Sequence, residues 1–195
     1  MTWIANYSNQ QSSNTRSVNK KRTSVAVSDA LKRPQAHQKT YFNPDRNNTK
    51  ELMANNLEIG SKLKESHELD FNSFEFQKLS NGEGLSIFLD YVFDEYGLYE
   101  VLCLDDNKLK LFSKKIEMGY LNNPYHNKTH ALDVCQTIYF FLKKCRFKEL
   151  AELNPFEIAA MLLAASVHDY EHPGLTNIFL IITRNDIALR YNGIY

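Results

Sequence analysis

The sequence predicts an all-α protein, in which a helical domain over residues 51–195 follows a disordered tail. Glycine and proline are scarce, at 7 and 5 of the 195 residues, and this argues against a turn-rich β fold. Apolar residues recur at helical spacing in several segments, and no segment shows convincing strand alternation. Residues typical of helix starts and ends bracket the same segments.

The tail, residues 1–50, differs in composition from the rest of the chain. It is rich in Asn, Ser and Gln and contains nine Lys/Arg against two Asp/Glu. Such a segment cannot bury enough apolar surface to offset the entropy lost on ordering, so we expect it to be disordered. Because the whole chain is neutral, residues 51–195 carry a net charge of −7. This acidic balance argues against nucleic-acid binding by the domain.

Two helices are predicted between residues 84 and 119. The first has an amphipathic stripe at i, i+3, i+4, i+7 and i+8, formed by Leu85, Phe88, Leu89, Val92 and Phe93. Gly97 follows as a C-terminal cap. The second begins at a cap supplied by Asp105 or Asp106 and ends at Gly119. Its predicted apolar positions are Leu109, Phe112 and Ile116.

Two more helices follow with clear start signals. One begins at Asn127, and its predicted buried stripe consists of Ala131, Val134, Ile138, Phe141 and Leu142. The other begins at Asn154-Pro155-Phe156-Glu157, with Asn as N-cap, Pro at the first helical position and Glu at the third. Residues 158–167 are apolar almost all round, so we expect this helix to be buried. Residues 177–190 are compatible with one further helix.

Four of the six histidines lie in two short blocks, 123–134 and 168–177. His126 and His130 are four residues apart, so both can face the same way at a helix start. This spacing alone fits metal ligands as well as hydrogen-bonded histidines. His168 and Asp169 end the apolar helix, where an imidazole and a carboxylate suit a zinc, manganese or iron site. A hydrogen-bonded His–Asp pair capping the helix explains them equally well. Two such clusters about forty residues apart can converge on one ion.

The two blocks read NPYHNKTHALDV and HDYEHPGLTN. They resemble the NPYHNxxHAxDV and HDxxHPGxxN signatures of the class I cyclic-nucleotide phosphodiesterases, and the resemblance extends over residues 57–195. The form HDYEH is similar to that of the calmodulin-stimulated subgroup. The resemblance implies a helical domain of the HD-type metal phosphohydrolases that hydrolyses cAMP, cGMP or both to 5′-monophosphates.

The resemblance also implies a role for each residue of the blocks. His126 is the general acid that protonates the leaving ribose O3′. His130, His168 and Asp169 are metal ligands, and Asp169 bridges two divalent ions, zinc plus magnesium or manganese, that activate a hydroxide. His172 lies near the water between the ions, and Tyr125 and Asn177 line the substrate pocket. Asp133, one turn after His130, could orient a nearby imidazole, although an exposed helix carboxylate fits its position equally well.

Later family elements do not occur in this sequence. A Glu-Asn-His-His stretch, a distant aspartate ligand, an aromatic clamp and a purine-reading glutamine would follow Tyr195. We therefore expect the chain to be an incomplete catalytic domain, weakly active or inactive alone. Two alternatives stay open: a non-catalytic product that binds or regulates a protein partner or forms a dimer, and a different HD-type phosphohydrolase.

The expected environment is cytoplasmic, with no membrane span. The three cysteines, Cys103, Cys135 and Cys145, form no CxxC pair, which is typical of a reducing compartment. No apolar run approaches the roughly 20 residues that a membrane span needs. The expected partner is a small cyclic nucleotide rather than a nucleic acid.

Overall fold

The computed structural model describes residues 48–191, with side chains from Lys50 onward. Residues 1–47 and 192–195 lie outside the described residues, and with them nearly all of the predicted disordered tail. The last three residues of that predicted tail, 48–50, open the first helix. Within residues 48–191, none of the helices combines the length and apolar character that crossing a membrane requires.

The described residues form helices joined by short connections, and no strand occurs among them. The predicted all-α class is therefore confirmed. In chain order, α1 to α11 are Asn48–Asn55, Leu57–Glu65, Ser73–Leu79, Gly84–Glu95, Leu98–Val101, Asp106–Gly119, Lys128–Lys143, Phe147–Leu150, Pro155–Val167, Asn177–Ile182 and Asp186–Arg190.

Helix α4 lies at the centre of the core. Its predicted stripe is confirmed, because all five of the stripe's apolar residues are fully buried. It packs against α6 on one side and α7 on the other, and α7 in turn packs against α9. The rings of Phe88 and Tyr139 meet edge to face across the α4–α7 contact, with centroids 5.8 Å apart. Burial of this face supplies the main driving force for the fold.

The predicted helix starts are confirmed at three caps. The side chain of Asp105 accepts from the backbone of Lys108 at the start of α6, and Asn127 accepts from the first turn of α7. Asn154 and Glu157 form a reciprocal capping box at the start of α9. Gly97 also has the expected left-handed conformation after α4, with φ 62°. Each cap satisfies helix N–H or C=O groups that have no intrahelical partner.

The start of helix α4 is capped by a residue from another helix, whereas the side chain of its own N-cap residue makes no capping bond. The buried carboxylate of Glu117, on α6, accepts from the backbone N–H groups of Leu85 and Ser86 at 3.0 and 3.3 Å. It also accepts from the Ser86 hydroxyl at 2.8 Å and from the Gln77 amide at 3.3 Å. A negative charge at a helix N-terminus is favourable, so Glu117 ties α6 to the start of the central helix.

The predicted buried faces of α6 and α7 are partly wrong. Phe112 is 38% exposed and Phe141 is 47% exposed. The face of α7 that is buried consists of Ala131, Leu132, Cys135, Gln136, Tyr139 and Leu142. The buried face of α7 is rotated relative to the predicted one because Tyr139 contacts Phe88 and donates its hydroxyl to Glu95. Gln136 belongs to this face because its amide donates to two backbone carbonyls, those of Ser66 and Glu68.

The expectations for the last three helices need correction as well. Helix α9 is buried along one face, while Phe156 on its other side is 61% exposed. Its apolar composition does not reveal that only this face packs on the core. The single helix expected over residues 177–190 is two short helices, α10 and α11. Arg184 is left-handed at φ 53°, and Asn185 caps α11 by accepting from the backbone of Ile187, so the chain turns between them.

Candidate metal centre

The two histidine blocks meet where α7 begins and α9 ends. Asn127, the N-cap of α7, fixes the start of this helix, so that His126 precedes it and His130 lies in its first turn. His168 is the C-cap of α9, and Asp169 follows it directly. Because α7 and α9 pack together, the two helix ends bring the side chains of the blocks to one place.

His130, His168 and Asp169 present three electron-rich atoms to one another. Asp169 Oδ2 lies 3.2 Å from His130 Nε2 and 3.0 Å from His168 Nε2, and the two ring nitrogens are 3.2 Å apart. A proton on His130 Nε2 can serve only one of the other two atoms. A cation placed between all three satisfies them together. Among residues 48–191, these residues form one of two groups whose donor atoms lie within 4.8 Å of one another.

The spacing of these three atoms fits a small divalent ion. Ligands about 2.0–2.1 Å from a tetrahedral zinc are about 3.3–3.4 Å apart, and somewhat closer in octahedral geometry. The observed separations of 3.0 to 3.2 Å are close to these values. Two imidazoles and a carboxylate also form a donor set that suits zinc and other divalent transition metals. The residues present therefore fit the expected group.

Hydrogen bonding and burial keep the two imidazoles ready to bind a metal. His168 Nδ1 lies 2.8 Å from the Ala165 carbonyl, which can only accept, so this nitrogen carries a proton. In the neutral ring, Nε2 then has its lone pair free toward Asp169. Burial is the largest effect that lowers the pKa of His130, and repulsion from His168 lowers it further. Metal ligation needs a neutral imidazole, so both effects favour it.

A second group shares Asp169 and consists of His126, Asp169 and His172. The rings of His126 and His172 are stacked, with centroids 3.8 Å apart and planes 18° from parallel. The backbone N–H of Gly174 donates to His172 Nδ1 at 3.0 Å. This nitrogen is therefore an acceptor, and Nε2 carries the proton in the neutral ring. His172 consequently presents a hydrogen-bond donor, whereas His168 presents a lone pair.

The end of α9 is more open than the sequence suggests. The His168 side chain is 34% exposed and that of Asp169 is 17% exposed. The interpretation of a buried helix end is wrong, because the face of α9 that leads to His168 is uncovered among the described residues. A metal at this place is therefore supported by the convergence of the donor atoms of His130, His168 and Asp169, and not by the cost of burying an imidazole and a carboxylate.

The other predicted site residues differ in their placement. Tyr125 is 63% exposed, and its ring centroid lies 4.5 Å from that of His130 and 4.9 Å from that of His126. Asn177 is exposed and opens α10. Asp133 is exposed and its Oδ1 accepts from the Ser73 hydroxyl at 2.9 Å; neither donor group includes it.

Three residues around the site, Asn123, Gly119 and Tyr170, make contacts that the sequence interpretation does not predict. Asn123 donates its side-chain amide to the backbone carbonyls of His126 and His172. Gly119 was expected only to end a helix, but a methyl group on it would overlap the ring of Tyr170. These contacts join residues about fifty positions apart, and no local spacing pattern indicates them.

Comparison with known proteins identifies the class. A family model described as 3′5′-cyclic nucleotide phosphodiesterase matches residues 125–194. The chain is 36% identical over 126 residues to 3′,5′-cyclic-AMP phosphodiesterase 4 of Dictyostelium discoideum, covering 64% of this chain. It is 37% identical over 124 residues to the human high affinity cAMP-specific and IBMX-insensitive 3′,5′-cyclic phosphodiesterase 8A, covering 63%.

A solved structure agrees with these matches. The structure of LmjPDEB1 in complex with IBMX superposes with a TM-score of 0.59 and 28% identity, covering 65% of this chain and 38% of that one. The chain therefore carries part of a class I cyclic-nucleotide phosphodiesterase domain, as the two motifs predicted. It spans only 12% and 15% of the length of the two curated relatives.

Proposed function

We propose that this chain supplies the metal-binding part of a catalytic site that hydrolyses 3′,5′-cyclic nucleotides, cAMP, cGMP or both, to 5′-monophosphates. One observation carries the proposal: the donor atoms of His130, His168 and Asp169 lie within 3.2 Å of one another. The names of the relatives support cAMP as a substrate. Proximity to the calmodulin-stimulated subgroup remains a prediction that only an assay with calcium and calmodulin tests.

His130, His168 and Asp169 would hold the first ion, and their donor spacing of 3.0 to 3.2 Å supports this. We propose that Asp169 also bridges to a second ion, because a carboxylate has two oxygens and can ligate two cations. We propose zinc in the first position and magnesium or manganese in the second. Bound together, such ions lower the pKa of a water molecule, supply hydroxide at neutral pH and offset charge on the phosphate.

His126 is proposed as the general acid. As hydroxide forms a new bond to phosphorus, the P–O3′ bond breaks, and the imidazolium of His126 passes its proton to O3′. His126 Nε2 lies 4.0 Å from Asp169 Oδ2, beside the first group without belonging to it. This position supports a proton donor rather than a ligand of the first ion.

The remaining site residues are proposed to act around this centre. The Nε2–H that the Gly174 contact leaves on His172 suits a hydrogen bond to the attacking water. The exposed Tyr125 ring beside both histidines and the exposed Asn177 would line the substrate pocket. For Asp133, the bond from Ser73 supports the alternative of a helix carboxylate over that of an imidazole-orienting group.

A non-catalytic product that binds a protein partner is the second candidate. The apolar residues exposed on the last helices favour it, including Ile178 at 70%, Ile182 at 75% and Leu189 at 61%. Large apolar side chains left exposed together on short helices are typical of a face that another chain covers. Cys103, Cys135 and Cys145 are free thiols, which supports a cytoplasmic location for either candidate.

Metal analysis combined with turnover tests the proposal and separates the two candidates. The 195-residue chain would be loaded with zinc and freed of excess ion. Turnover of cAMP and cGMP would be measured with a longer chain that continues past Tyr195 with the later family elements. We expect His168→Ala and Asp169→Ala to lose bound zinc, and His126→Ala to keep it while losing turnover. His67→Ala and Asp70→Ala, which change the same residue types outside both groups, are the matched controls.

The outcomes distinguish the candidates. Zinc binding together with turnover by the longer chain supports the catalytic proposal. Zinc binding without turnover by the longer chain, but with self-association or partner capture, supports the binding product. Wild-type zinc content in both His168→Ala and Asp169→Ala would contradict the ligand assignment. Loss of zinc in His126→Ala would make His126 a ligand.

A further inference from the structure

We infer that Asn123 is a positioning residue that ties the two histidine blocks together and holds the rings of His126 and His172 in their stacked arrangement. Its consequence for catalysis rests on the proposed function. The arrangement itself can be tested in the metal-free chain.

The side-chain amide of Asn123 reaches both blocks. Its nitrogen donates to the His126 carbonyl at 3.2 Å and to the His172 carbonyl at 2.7 Å. His172 is 49 positions further along the chain. An amide NH₂ has two hydrogens, so both are used to join the backbones that carry the stacked rings.

The position of Asn123 is itself fixed by the start of α7. Its backbone carbonyl accepts from the side chain of Asn127 at 2.9 Å, and Asn127 is the N-cap of α7. The Asn123 side chain is thereby held in register with the helix that bears His130. A residue so anchored can transmit the position of α7 to the segment around His172.

Gly174 makes room for this contact. It has φ +73°, and a Cβ atom built on it would lie 2.7 Å from Asn123 Oδ1 and 3.0 Å from Asn123 Cγ. Its backbone N–H donates to His172 Nδ1. Asn123 and Gly174 therefore act on the same imidazole: Asn123 fixes the backbone of His172, and Gly174 fixes which ring nitrogen carries its proton.

The rings of His126 and His172 are thereby held in one stacked geometry. They are stacked at 3.8 Å with an interplanar angle of 18°. Without the amide, the carbonyls of His126 and His172 lose their shared donor, and the segments that bear the rings can separate. We expect the rings of His126 and His172 to move, whereas His168 keeps its contact with Ala165 within its own helix.

Imidazole tautomers, read from long-range ¹H–¹⁵N correlations of the metal-free 195-residue chain at alkaline pH, test this inference. In the wild type we expect His172 to show a single tautomer protonated at Nε2, with a nuclear Overhauser contact between the rings of His126 and His172. In Asn123→Asp, which keeps the shape but removes both donors, we expect averaged His172 shifts and loss of the ring contact. His168, protonated at Nδ1, is the internal control.

Matched variants keep the test decisive. Asn122→Asp makes the same change at the exposed neighbouring residue and should leave every imidazole signal unchanged. Gly174→Ala should reproduce the His172 change by displacing Asn123. If Asn123→Asp does not fold, Asn123→Ser, which keeps one donor, should give a partial change instead.

Several results would overturn the inference. These are an unchanged His172 tautomer and ring contact in Asn123→Asp, an equal disturbance in Asn122→Asp, or a His168 signal that changes as much as that of His172. A chain with the expected imidazole signals that nevertheless binds no zinc would refute the proposed function and leave this inference standing.

Discussion

Gly119→Ala tests how the metal-binding end of α9 is anchored to the core. A methyl group at this position would overlap the ring of Tyr170, the residue directly after Asp169. The neighbouring Tyr120 packs edge to face on the same ring, with centroids 6.1 Å apart, and its hydroxyl donates to the Ser166 carbonyl at 2.9 Å. Gly119 and Tyr120 therefore fix the chain on both sides of His168 and Asp169.

The expected change in unfolding free energy for Gly119→Ala follows from two opposing effects. Adding a methyl group to a packed contact costs about 1–3 kcal/mol of unfolding free energy. Replacing glycine by alanine inside a helix gains about 1 kcal/mol, and Gly119 is the last residue of α6. We therefore expect Gly119→Ala to destabilise the chain by about 0–2 kcal/mol, the difference between these effects.

The effect of Gly119→Ala on the unfolding free energy should change sign once the Tyr170 ring is removed. In a Tyr170→Ala background only the helix propensity remains, so Gly119→Ala should stabilise the chain by up to about 1 kcal/mol. Urea denaturation of the four variants gives the coupling free energy directly, and we expect about 1–3 kcal/mol. Zinc affinity measured on the same variants should fall in Gly119→Ala, because Asp169 moves with Tyr170.

Additive effects would refute this reasoning. If Gly119→Ala changed the unfolding free energy by the same amount with and without the Tyr170 ring, the two residues would not be in contact. Unchanged zinc affinity in Gly119→Ala would show that the contact does not position Asp169.

Three further predictions concern the core and the caps. Glu117→Ala leaves three buried donors, the N–H groups of Leu85 and Ser86 and the amide of Gln77, without their acceptor and should cost at least about 3 kcal/mol by urea denaturation, with Glu117→Gln losing less; equal costs would contradict the role of the carboxylate. Burial raises the pKa of Asp90 above 3.8, so ionisation opposes folding there, and the stability of Asp90→Asn relative to the wild type should increase as pH rises above that value. A difference that is constant with pH would contradict this. Asn154→Ala removes the capping box of α9 and should cost about 1 kcal/mol, whereas no change in thermal midpoint would show that the cap is dispensable.

Helix starts were predictable from the sequence because their signals are local. Asn127 and Asn154 each satisfy N–H groups within three residues, and the structure places both as N-caps. The stripe of α4 was predictable for a similar reason, since a central helix buries the face that its 3.6-residue period defines. Both features need only the spacing of neighbouring residues along the chain.

Features that depend on distant partners were not predictable. Phe141 belongs to the apolar stripe expected for α7, yet it is exposed, because Tyr139 supplies the contact with α4 instead. The break near Arg184 separates two helices that are both rich in apolar residues, so composition alone does not reveal it. In the site, the motifs identified His130, His168 and Asp169, but Asn123 joins their surroundings through contacts that spacing does not encode.

X-ray absorption at the zinc edge of the zinc-loaded chain tests the central claim most directly, because it reports which atoms surround the ion. We expect nitrogen and oxygen neighbours at about 2.0–2.1 Å, with multiple scattering from two imidazoles. This signal should be absent from His168→Ala, which is expected to lose the ion. A sulfur shell at about 2.3 Å, or a spectrum of hydrated zinc that is the same in wild type and Asp169→Ala, would contradict it.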